Sequence, residues 1–108
     1  MYPTYTSKFP ELGFYGLPGH SRAPRDILHQ AQDAEALGIG NIMISERADF
    51  KEISALCGAV AGATNTLYIG TSGTNLNTRH PIVTASMGST LNRLSEGRFA
   101  LGLAKGVK

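Results

Sequence analysis

Four short apolar segments alternate with three helical segments along this chain, and no other feature narrows the possible folds as much. Apolar runs separated by amphipathic stretches predict strands that right-handed crossovers join into one parallel sheet. The pattern therefore predicts an α/β fold, either an open doubly wound sheet of the flavodoxin type or part of a (β/α)8 barrel. The predicted strands are residues 12–17, 41–45, 66–71 and 98–104.

Two of the predicted helices carry residues at both ends that favour starting and stopping there. Pro24 and Pro81 suit the first position of a helix, because that position needs no backbone N–H. Gly38 and Gly97 suit the residue after a helix, where a left-handed backbone conformation is least costly for glycine. The first and third helices are thus bounded on both sides.

Three further predictions concern the middle of the chain. Segment 41–45 is apolar, which predicts a strand buried on both faces. Asp49 and Glu52 have the D-x-x-E spacing of a capping box, which predicts that Asp49 caps the second helix. Cys57 lies on the apolar stripe of that helix, so it is predicted to be a core residue and not a nucleophile. As the one cysteine of the chain, it also excludes a disulfide framework and a multi-cysteine metal site.

Length, charge and hydropathy limit the class of protein. The 108 residues suffice for one domain, and we treat 1–108 as a single partial barrel domain. The net charge is +2 and the ten basic residues are scattered, which argues against nucleic acid as a partner. No apolar run approaches the ~20 residues that span a bilayer. The first residues also lack a signal-peptide pattern, so we expect a cytoplasmic protein without a membrane partner.

The polar residues of the chain concentrate in the loops that follow the predicted strands, whereas the opposite loops are short turns. In both candidate architectures the carboxyl ends of the strands carry function. This asymmetry predicts a functional site at one rim of the sheet. The polar and glycine residues in these loops are His20, Ser21, Glu46, Arg47, Thr71, Ser72, Thr74, Asn75, Asn77, Arg79, His80, Lys105 and Gly106.

Each of these candidates has a structural interpretation beside the functional one. Glu46 follows a strand, so it is either a strand-end ion pair or an acid of the site. His80 precedes the third helix, where it either caps the helix or donates to an anionic or carbonyl group. Thr71 and Ser72 either end a strand or hydrogen-bond a ring edge or a phosphate. His20 lies in a Gly-Pro loop, where it is either solvated or part of the site.

The glycine turn at the end of the chain does not match a common nucleotide motif. Lys105 beside Gly106 is either a surface lysine or a residue that approaches a phosphate. Neither "GLPGHS" nor "GLAKGV" is a G-x-G-x-x-G or Walker sequence. The ordinary dinucleotide-binding and P-loop interpretations are therefore disfavoured.

Two longer stretches resemble the bacterial luciferase-like monooxygenase superfamily. "AQDAEALGIGNIMISER" resembles its first-helix to second-strand segment. "IGTSGTNLNTRHPIVTASMGSTLNRLSEGRFALGLAKG" resembles its third-strand to fourth-strand segment, where a helix starting at R-H-P ends in L-S-x-G-R. The resemblance covers about residues 12–107 and is nearest to the branch that uses coenzyme F420 rather than FMN. It implies the N-terminal half of a (β/α)8 TIM barrel, about four parallel strands and three helices.

The same resemblance implies roles for the candidate residues. Glu46 stands where the family often has an acidic residue, and it would be the catalytic group that polarises or deprotonates if burial raises its pKa. Arg47 occupies a position that is histidine in several members, and a guanidinium rarely gives up its proton. The implied cofactor contacts are Thr71, Ser72, Lys105 and Gly106. The predicted substrate contacts are Arg47 and, from their positions in the loops after the strands, His20 and His80.

The expected function is hydride transfer between coenzyme F420 and a small-molecule substrate. One alternative is an FMN-dependent monooxygenase that inserts one oxygen atom into its substrate. Another is a non-catalytic relative that folds only by pairing with another barrel half or another subunit. Because four strands leave edges unpaired, we expect a homo-oligomer or association with the other half of the barrel.

Overall fold

The computed structural model, which describes residues 6–18 and 23–105, contains the predicted alternation of strands and helices. All strand pairs are parallel. Four strands and three helices follow one another in chain order: β1 (Phe9–Tyr15), α1 (Asp26–Ala36), β2 (Ile39–Ile44), α2 (Ile53–Ala63), β3 (Tyr68–Thr71), α3 (Pro81–Leu94) and β4 (Phe99–Ala100).

The order of the strands in the sheet decides between the two candidate architectures. The order is β1-β2-β3-β4, which is also the order along the chain. A doubly wound sheet reverses direction at a switch point, so its spatial order differs from its chain order. The described strands have no such switch, and the doubly wound alternative is wrong. Sequential parallel strands are the arrangement of a barrel wall.

The three helices form one layer against one face of the sheet. α1 packs on α2, and α2 packs on α3, as expected when successive right-handed crossovers place helices on the same side. Complete burial of an aliphatic side chain contributes about 1.5–3 kcal/mol, so this interface stabilises the layer. Its largest buried residues include Ile27, Ile42, Ile44, Ile53, Val60, Leu67 and Ile69.

The other face of the sheet, called the inner face here, has no helix layer among the described residues. In β2, Ile42 and Ile44 are buried against the helices, whereas Asn41 and Met43 are only half-buried. The expectation that this strand is buried on both faces is therefore wrong, because helices cover only one face. One row across the inner face consists of the paired positions Tyr15, Met43, Gly70 and Ala100.

The predicted ends of α1 and α3 agree with the structure, with small differences. Pro81 is the first residue of α3. Gly38 and Gly97 have φ angles of 83° and 87°, as predicted for the left-handed residue after a helix. Pro24 lies two residues before α1, which begins at Asp26. None of the helices in the described ranges is long and apolar enough to cross a membrane.

The start of α2 differs from the prediction. Glu52 is itself the N-cap, and its side chain accepts a hydrogen bond of 2.9 Å from the Ala55 amide. The capping box led by Asp49 is therefore wrong. A carboxylate at the cap position satisfies the same free N–H groups that Asp49 was expected to satisfy.

A buried arginine joins several elements at the amino edge, the edge of the sheet where the strands begin. Arg98 is 4% exposed and donates to the carbonyl oxygens of Ser95 (2.7 Å), Leu67 (2.7 Å), Thr64 (2.8 Å) and Ala61 (3.3 Å). These carbonyls follow or end α2 and α3, where helical C=O groups lack partners. Arg98 is the arginine of the L-S-x-G-R motif, so the motif has a structural reason.

A carboxylate stabilises the same edge. Glu35 Oε2 accepts hydrogen bonds from the amides of Asn65 (2.7 Å), Thr66 (2.5 Å) and Leu67 (3.0 Å). Burial alone would raise the pKa of Glu35, but these hydrogen bonds lower it below its usual value. The ionised side chain connects the end of α1 to the loop before β3.

Candidate functional site

An open cavity of about 1020 Å³ lies at the carboxyl edge, between the loops that follow β2, β3 and β4. This is the rim at which the sequence predicts a site. Parallel strands bring the loops at their carboxyl ends together, so residues far apart in sequence meet there. The charged residues that line the cavity are Glu46, Arg47, Asp49, Glu52, Arg79 and Lys105.

An ion pair in fork geometry joins the β2 loop to the β3 loop inside this cavity. Arg79 Nη1 donates to Glu46 Oε1 over 2.9 Å, and Nη2 donates to Oε2 over 2.5 Å. The side chains of Arg79 and Glu46 are 13% and 10% exposed. Two parallel bonds fix the relative orientation of both groups, which single charge contacts do not do.

Glu46 also binds two neighbours and is the centre of a hydrogen-bond network. Thr74 Oγ1 donates to Glu46 Oε1 over 2.7 Å, and the Ile53 amide donates to Oε2 over 3.1 Å. Arg79 further donates to Glu52. We call Glu46, Glu52, Thr74 and Arg79 the Glu46 network. It connects the β2 loop, the start of α2 and the β3 loop.

The network also reaches the segment after β4 through the backbone of Thr74. The Thr74 amide donates to the Gly102 carbonyl over 3.0 Å, and the Ala104 amide donates to the Thr74 carbonyl over 2.7 Å. The Thr74 side chain is buried although its loop is polar in sequence. Three of the loops around the cavity are thus fixed to one another.

The electrostatics of the network keep both carboxylates ionised. Hydrogen bonding to Arg79 lowers the pKa of Glu46, against the opposite effect of burial. Burial would raise the pKa of Glu52, but hydrogen bonds from Ser54, the Ala55 amide and Arg79 lower it to about 2. The condition for Glu46 to polarise or deprotonate, a raised pKa, is therefore not met. A catalytic role for Glu46 stays a prediction.

Three of the predicted site residues line the cavity together: Glu46, Arg47 and Lys105. Thr71 does not line it. Thr71 Oγ1 donates to the Gly102 carbonyl over 2.8 Å and accepts from the Gly102 amide over 2.7 Å. A Cβ on Gly102 would lie 2.1 Å from the Thr71 carbonyl oxygen, so only glycine fits this close approach. Thr71 therefore joins the end of β3 to the segment that follows β4.

The remaining predicted residues lie elsewhere or outside the described residues. Ser72 lies near the inner face, where its Oγ is 3.3 Å from the hydroxyl of Tyr15, and the peptide bond that follows Ser72 is cis. His80 is the N-cap of α3, and its Nδ1 accepts from the Ile82 amide over 3.1 Å. The capping interpretation of His80 is confirmed, and its substrate role stays a prediction. His20 and Gly106 lie outside the described residues.

Sequence reasoning missed the partners that organise the site. Arg79 and Thr74 were among the polar loop residues but not in the predicted site, and Glu52 was considered only as a capping residue. Arg79 and Glu46 are 33 residues apart, so no local spacing connects them. The available signal was charge complementarity between two loops predicted to share a rim.

A buried lysine is a second feature that the sequence did not reveal. Lys51 is 1% exposed, and its Nζ donates to the Leu17 carbonyl (2.9 Å) and to Ser45 Oγ (3.1 Å). Burial lowers the pKa of Lys51, and the nearby charge of Arg47 adds to this effect. Lys51 thereby connects the residues that follow β1 and β2.

Two expectations about cysteine and metals concern the surroundings of the site. Cys57 is fully buried in the core, as predicted, and burial raises the pKa of its thiol to about 12. Across residues 6–18 and 23–105, no group of three His, Cys, Asp or Glu side chains is arranged to hold a metal ion.

A sequential parallel wall with a polar site at its carboxyl edge defines the class of (β/α)-barrel proteins. The chain belongs to the luciferase-like monooxygenase family, because the sequence model of that family matches residues 10–108. The suspected resemblance is therefore confirmed. The similar solved structures are TIM-barrel enzymes of this kind, so the expected barrel fold is confirmed as well.

Three proteins that are similar in sequence or structure show which reactions relatives of this chain catalyse. A 5,10-methylenetetrahydromethanopterin reductase of Methanolobus tindarius is 36% identical over 80 residues, which are 74% of this chain and 24% of the relative. The coenzyme F420 dependent tetrahydromethanopterin reductase of Methanopyrus kandleri has a TM-score of 0.78 and 29% identity, covering 96% of this chain and 28% of its own. The oxygenating constituent of 3,6-diketocamphane monooxygenase of Pseudomonas putida, in complex with FMN, has a TM-score of 0.75 and 27% identity, covering 100% of this chain and 30% of its own. The chain thus spans about a quarter to a third of their length.

Proposed function

We propose that this chain is the cofactor-binding part of an oxidoreductase that transfers hydride between coenzyme F420 and a small-molecule substrate. The observation that carries the proposal is the cavity at the carboxyl edge, whose loops the Glu46 network holds together. The F420-dependent reductase among the similar structures supports the choice of cofactor. F420, when bound, supplies a ring carbon that exchanges hydride with the substrate.

The residues present fit such a group. A volume of about 1020 Å³ is at the upper end of small-molecule sites, which leaves room for a cofactor and a substrate. Within residues 6–18 and 23–105, neither Arg47 nor Lys105 forms an ion pair with a carboxylate. Their charges are therefore available for the phosphate-bearing tail that F420 and FMN both carry.

Arg79 and Glu46 have a different role in this proposal. Arg79 is already bound to two carboxylates, so it holds the loops rather than the cofactor. Glu46 is ionised and accepts bonds from Arg79, Thr74 and the Ile53 amide. We assign Glu46 the anchoring of the cavity wall, because a carboxylate with a lowered pKa is a weak general base near neutral pH.

The experiment is a titration of the purified chain with F420 and, separately, with FMN, followed by ring fluorescence. The proposal expects saturable binding of F420 that Glu46→Gln weakens. Glu35→Gln at the amino edge is the matched control and leaves the affinity unchanged. Binding of F420 that both variants weaken equally, or no binding of F420, would contradict the proposal.

A second candidate is an FMN-dependent monooxygenase that inserts one oxygen atom into its substrate. The FMN complex among the similar structures favours it, and the same loops serve. Retention of FMN without F420 in the titration selects this candidate.

The third candidate is a non-catalytic chain that needs a partner. Its support is the pair of sheet edges at β1 and β4, which have no neighbouring strand among the described residues. Retention of neither cofactor, together with a broad oligomer on size-exclusion chromatography, selects this candidate. In this candidate the chain associates with another barrel half or with another copy of itself.

A further inference from the structure

An exposed tyrosine crosses the inner face of the sheet and is held in place there. Tyr15 is the last residue of β1 and is 60% exposed. The preceding residue, Phe14, packs against the helix-side core, so Tyr15 is on the opposite, inner face. Its hydroxyl lies 3.3 Å from Ser72 Oγ, which follows β3, so the side chain passes over β2. The bond to Ser72 thus positions an otherwise exposed side chain over the sheet.

Apart from the Tyr15 hydroxyl, the row that contains Tyr15 consists of apolar or small residues. Tyr15 pairs with Met43, which pairs with Gly70, which pairs with Ala100. A Cβ on Gly70 would lie 2.7 Å from Met43 Sδ, so the methionine side chain lies over the glycine. The register thus places a phenol ring, a thioether and two small residues side by side as an apolar patch on the inner face. Such a patch suits the face of a flat aromatic group.

The position of this patch connects it to the cavity. Ser72 is followed directly by Gly73, which lines the cavity at the carboxyl edge. The patch formed by Tyr15, Met43 and Gly70 thus lies beside the cavity and not at the amino edge. The hydroxyl of Tyr15 is bonded to Ser72 and therefore lies close to the lining of the cavity.

The two hydroxyls offer a defined hydrogen-bonding capacity. Tyr15 and Ser72 carry two hydroxyl hydrogens, and their mutual bond uses one of them. The pair therefore keeps one donor and free acceptor lone pairs for a ligand. Flavin and deazaflavin rings share a uracil-like edge, in which two carbonyls flank an N–H group, and this edge needs both a donor and an acceptor.

We infer that Tyr15 is a binding residue for the uracil-like edge of a flavin or deazaflavin ring, and that Ser72 is the positioning residue that orients its hydroxyl. The inference rests on the proposed function, because it assigns the ring of the same cofactor to this patch. Tyrosine supplies ring contact at a low cost in conformational entropy, which suits a pre-formed wall.

The test compares Tyr15→Phe with Tyr68→Phe in titrations of the full chain with F420 and with FMN. Tyr68 is the matched control, since it is 50% exposed and lies on the inner face one row nearer the amino edge. Loss of one hydrogen bond predicts that Tyr15→Phe weakens both cofactors about three- to tenfold. Ser72→Ala weakens both by a smaller factor, and Tyr68→Phe changes neither.

A second readout does not depend on affinity. In a chain with 13C-labelled tyrosine rings, the Tyr15 resonances shift on cofactor addition and those of Tyr68 do not. This measurement uses the unaltered chain, so it stays decisive if a variant fails to fold.

The outcomes separate this inference from the proposed function. Cofactor binding by the unaltered chain, with Tyr15→Phe equal to it and Tyr15 resonances unmoved, overturns the inference and leaves the proposed function standing. Loss of affinity for FMN alone also overturns it, because the contact would then be to the ring nitrogen that deazaflavins lack. Binding of neither cofactor overturns both.

Discussion

Two arginines of this chain form multiple hydrogen bonds at opposite edges of the same sheet, and their surroundings differ. Arg98 at the amino edge is 4% exposed and donates to backbone carbonyls that end or follow helices. Arg79 at the carboxyl edge lines an open cavity and donates to the side chains of Glu46 and Glu52. The first arrangement completes the backbone hydrogen bonding of the fold, and the second joins the loops around the cavity.

Similar chemistry thus supports stability at one edge and a candidate site at the other. Buried backbone carbonyls that lose their donor have no substitute, since water does not reach them. Carboxylates that line a cavity can be rehydrated when their partner is removed. We therefore expect loss of Arg98 to affect folding and loss of Arg79 to affect binding.

The largest expected effect is that of Arg98→Met on stability. The change leaves the carbonyls of Leu67 and Thr64 buried without a donor, which predicts a loss of about 3–5 kcal/mol in the free energy of unfolding. Urea denaturation measures it. Arg93→Met, at an exposed position of α3, is the control, and similar losses for both variants would refute the structural role of Arg98.

The next largest effect is that of Arg79→Met, which we expect to change cofactor affinity more than stability. We expect it to lower the free energy of unfolding by less than Arg98→Met does, because the freed carboxylates face an open cavity. Cofactor affinity should fall at least about tenfold, since the loops lose their fixed geometry. A double-mutant cycle with Glu46→Gln tests whether the two groups act as a pair, and strictly additive losses would contradict this.

A smaller effect concerns stability at low pH. The pKa values of Glu35, Glu46 and Glu52 are all lowered in the folded chain, to about 2 for Glu52. A group with a lowered folded pKa contributes stability above its unfolded pKa, near 4.5, and this contribution is lost as the pH falls through the folded value. Melting temperature should therefore decline as the pH falls from about 4.5 toward 2.

Single variants divide this acid sensitivity between the two edges. Glu35→Gln removes the contribution of Glu35, at the amino edge, to the loss of stability at low pH. Glu46→Gln removes the contribution of Glu46, at the carboxyl edge. Melting curves from neutral pH to pH 2 should flatten in each variant. An acid profile that neither substitution changes would show that other groups control it.

The smallest expected effect is the slow labelling of Cys57 by a thiol reagent. Burial keeps this thiol protonated, with a pKa of about 12, so it reacts only when the core opens. We expect labelling to be slow in the unaltered chain and in Arg79→Met, and faster in Arg98→Met. Equal rates in all three would contradict the contrast between the two edges.

The architecture was largely predictable from local patterns. Strand and helix alternation, the start of α3 at Pro81 and the left-handed Gly38 all follow from backbone chemistry within a few residues. The errors occurred where tertiary structure decided the outcome. Glu52 replaced Asp49 as the cap of α2, and the inner face of β2 stayed half-exposed because no helix covers it.

The candidate site was predictable only in its location. Loop polarity indicated the correct rim, and Glu46, Arg47 and Lys105 share one cavity there. The geometry within the rim depends on long-range pairs, such as Glu46 with Arg79 and Tyr15 with Ser72, which no local spacing encodes. The direction of the Glu46 pKa shift depends on such a pair, so burial alone does not decide it.

We propose that the carboxyl edge binds a flavin-type or F420 cofactor while the amino edge is structural. Amide hydrogen exchange of the purified chain with and without F420, and with and without FMN, tests it directly. We expect slower exchange on binding at residues 46–53 and 73–79, with no change at 35–39, 64–67 and 95–98. Slower exchange at the amino edge alone, or at neither edge with both cofactors, would contradict it.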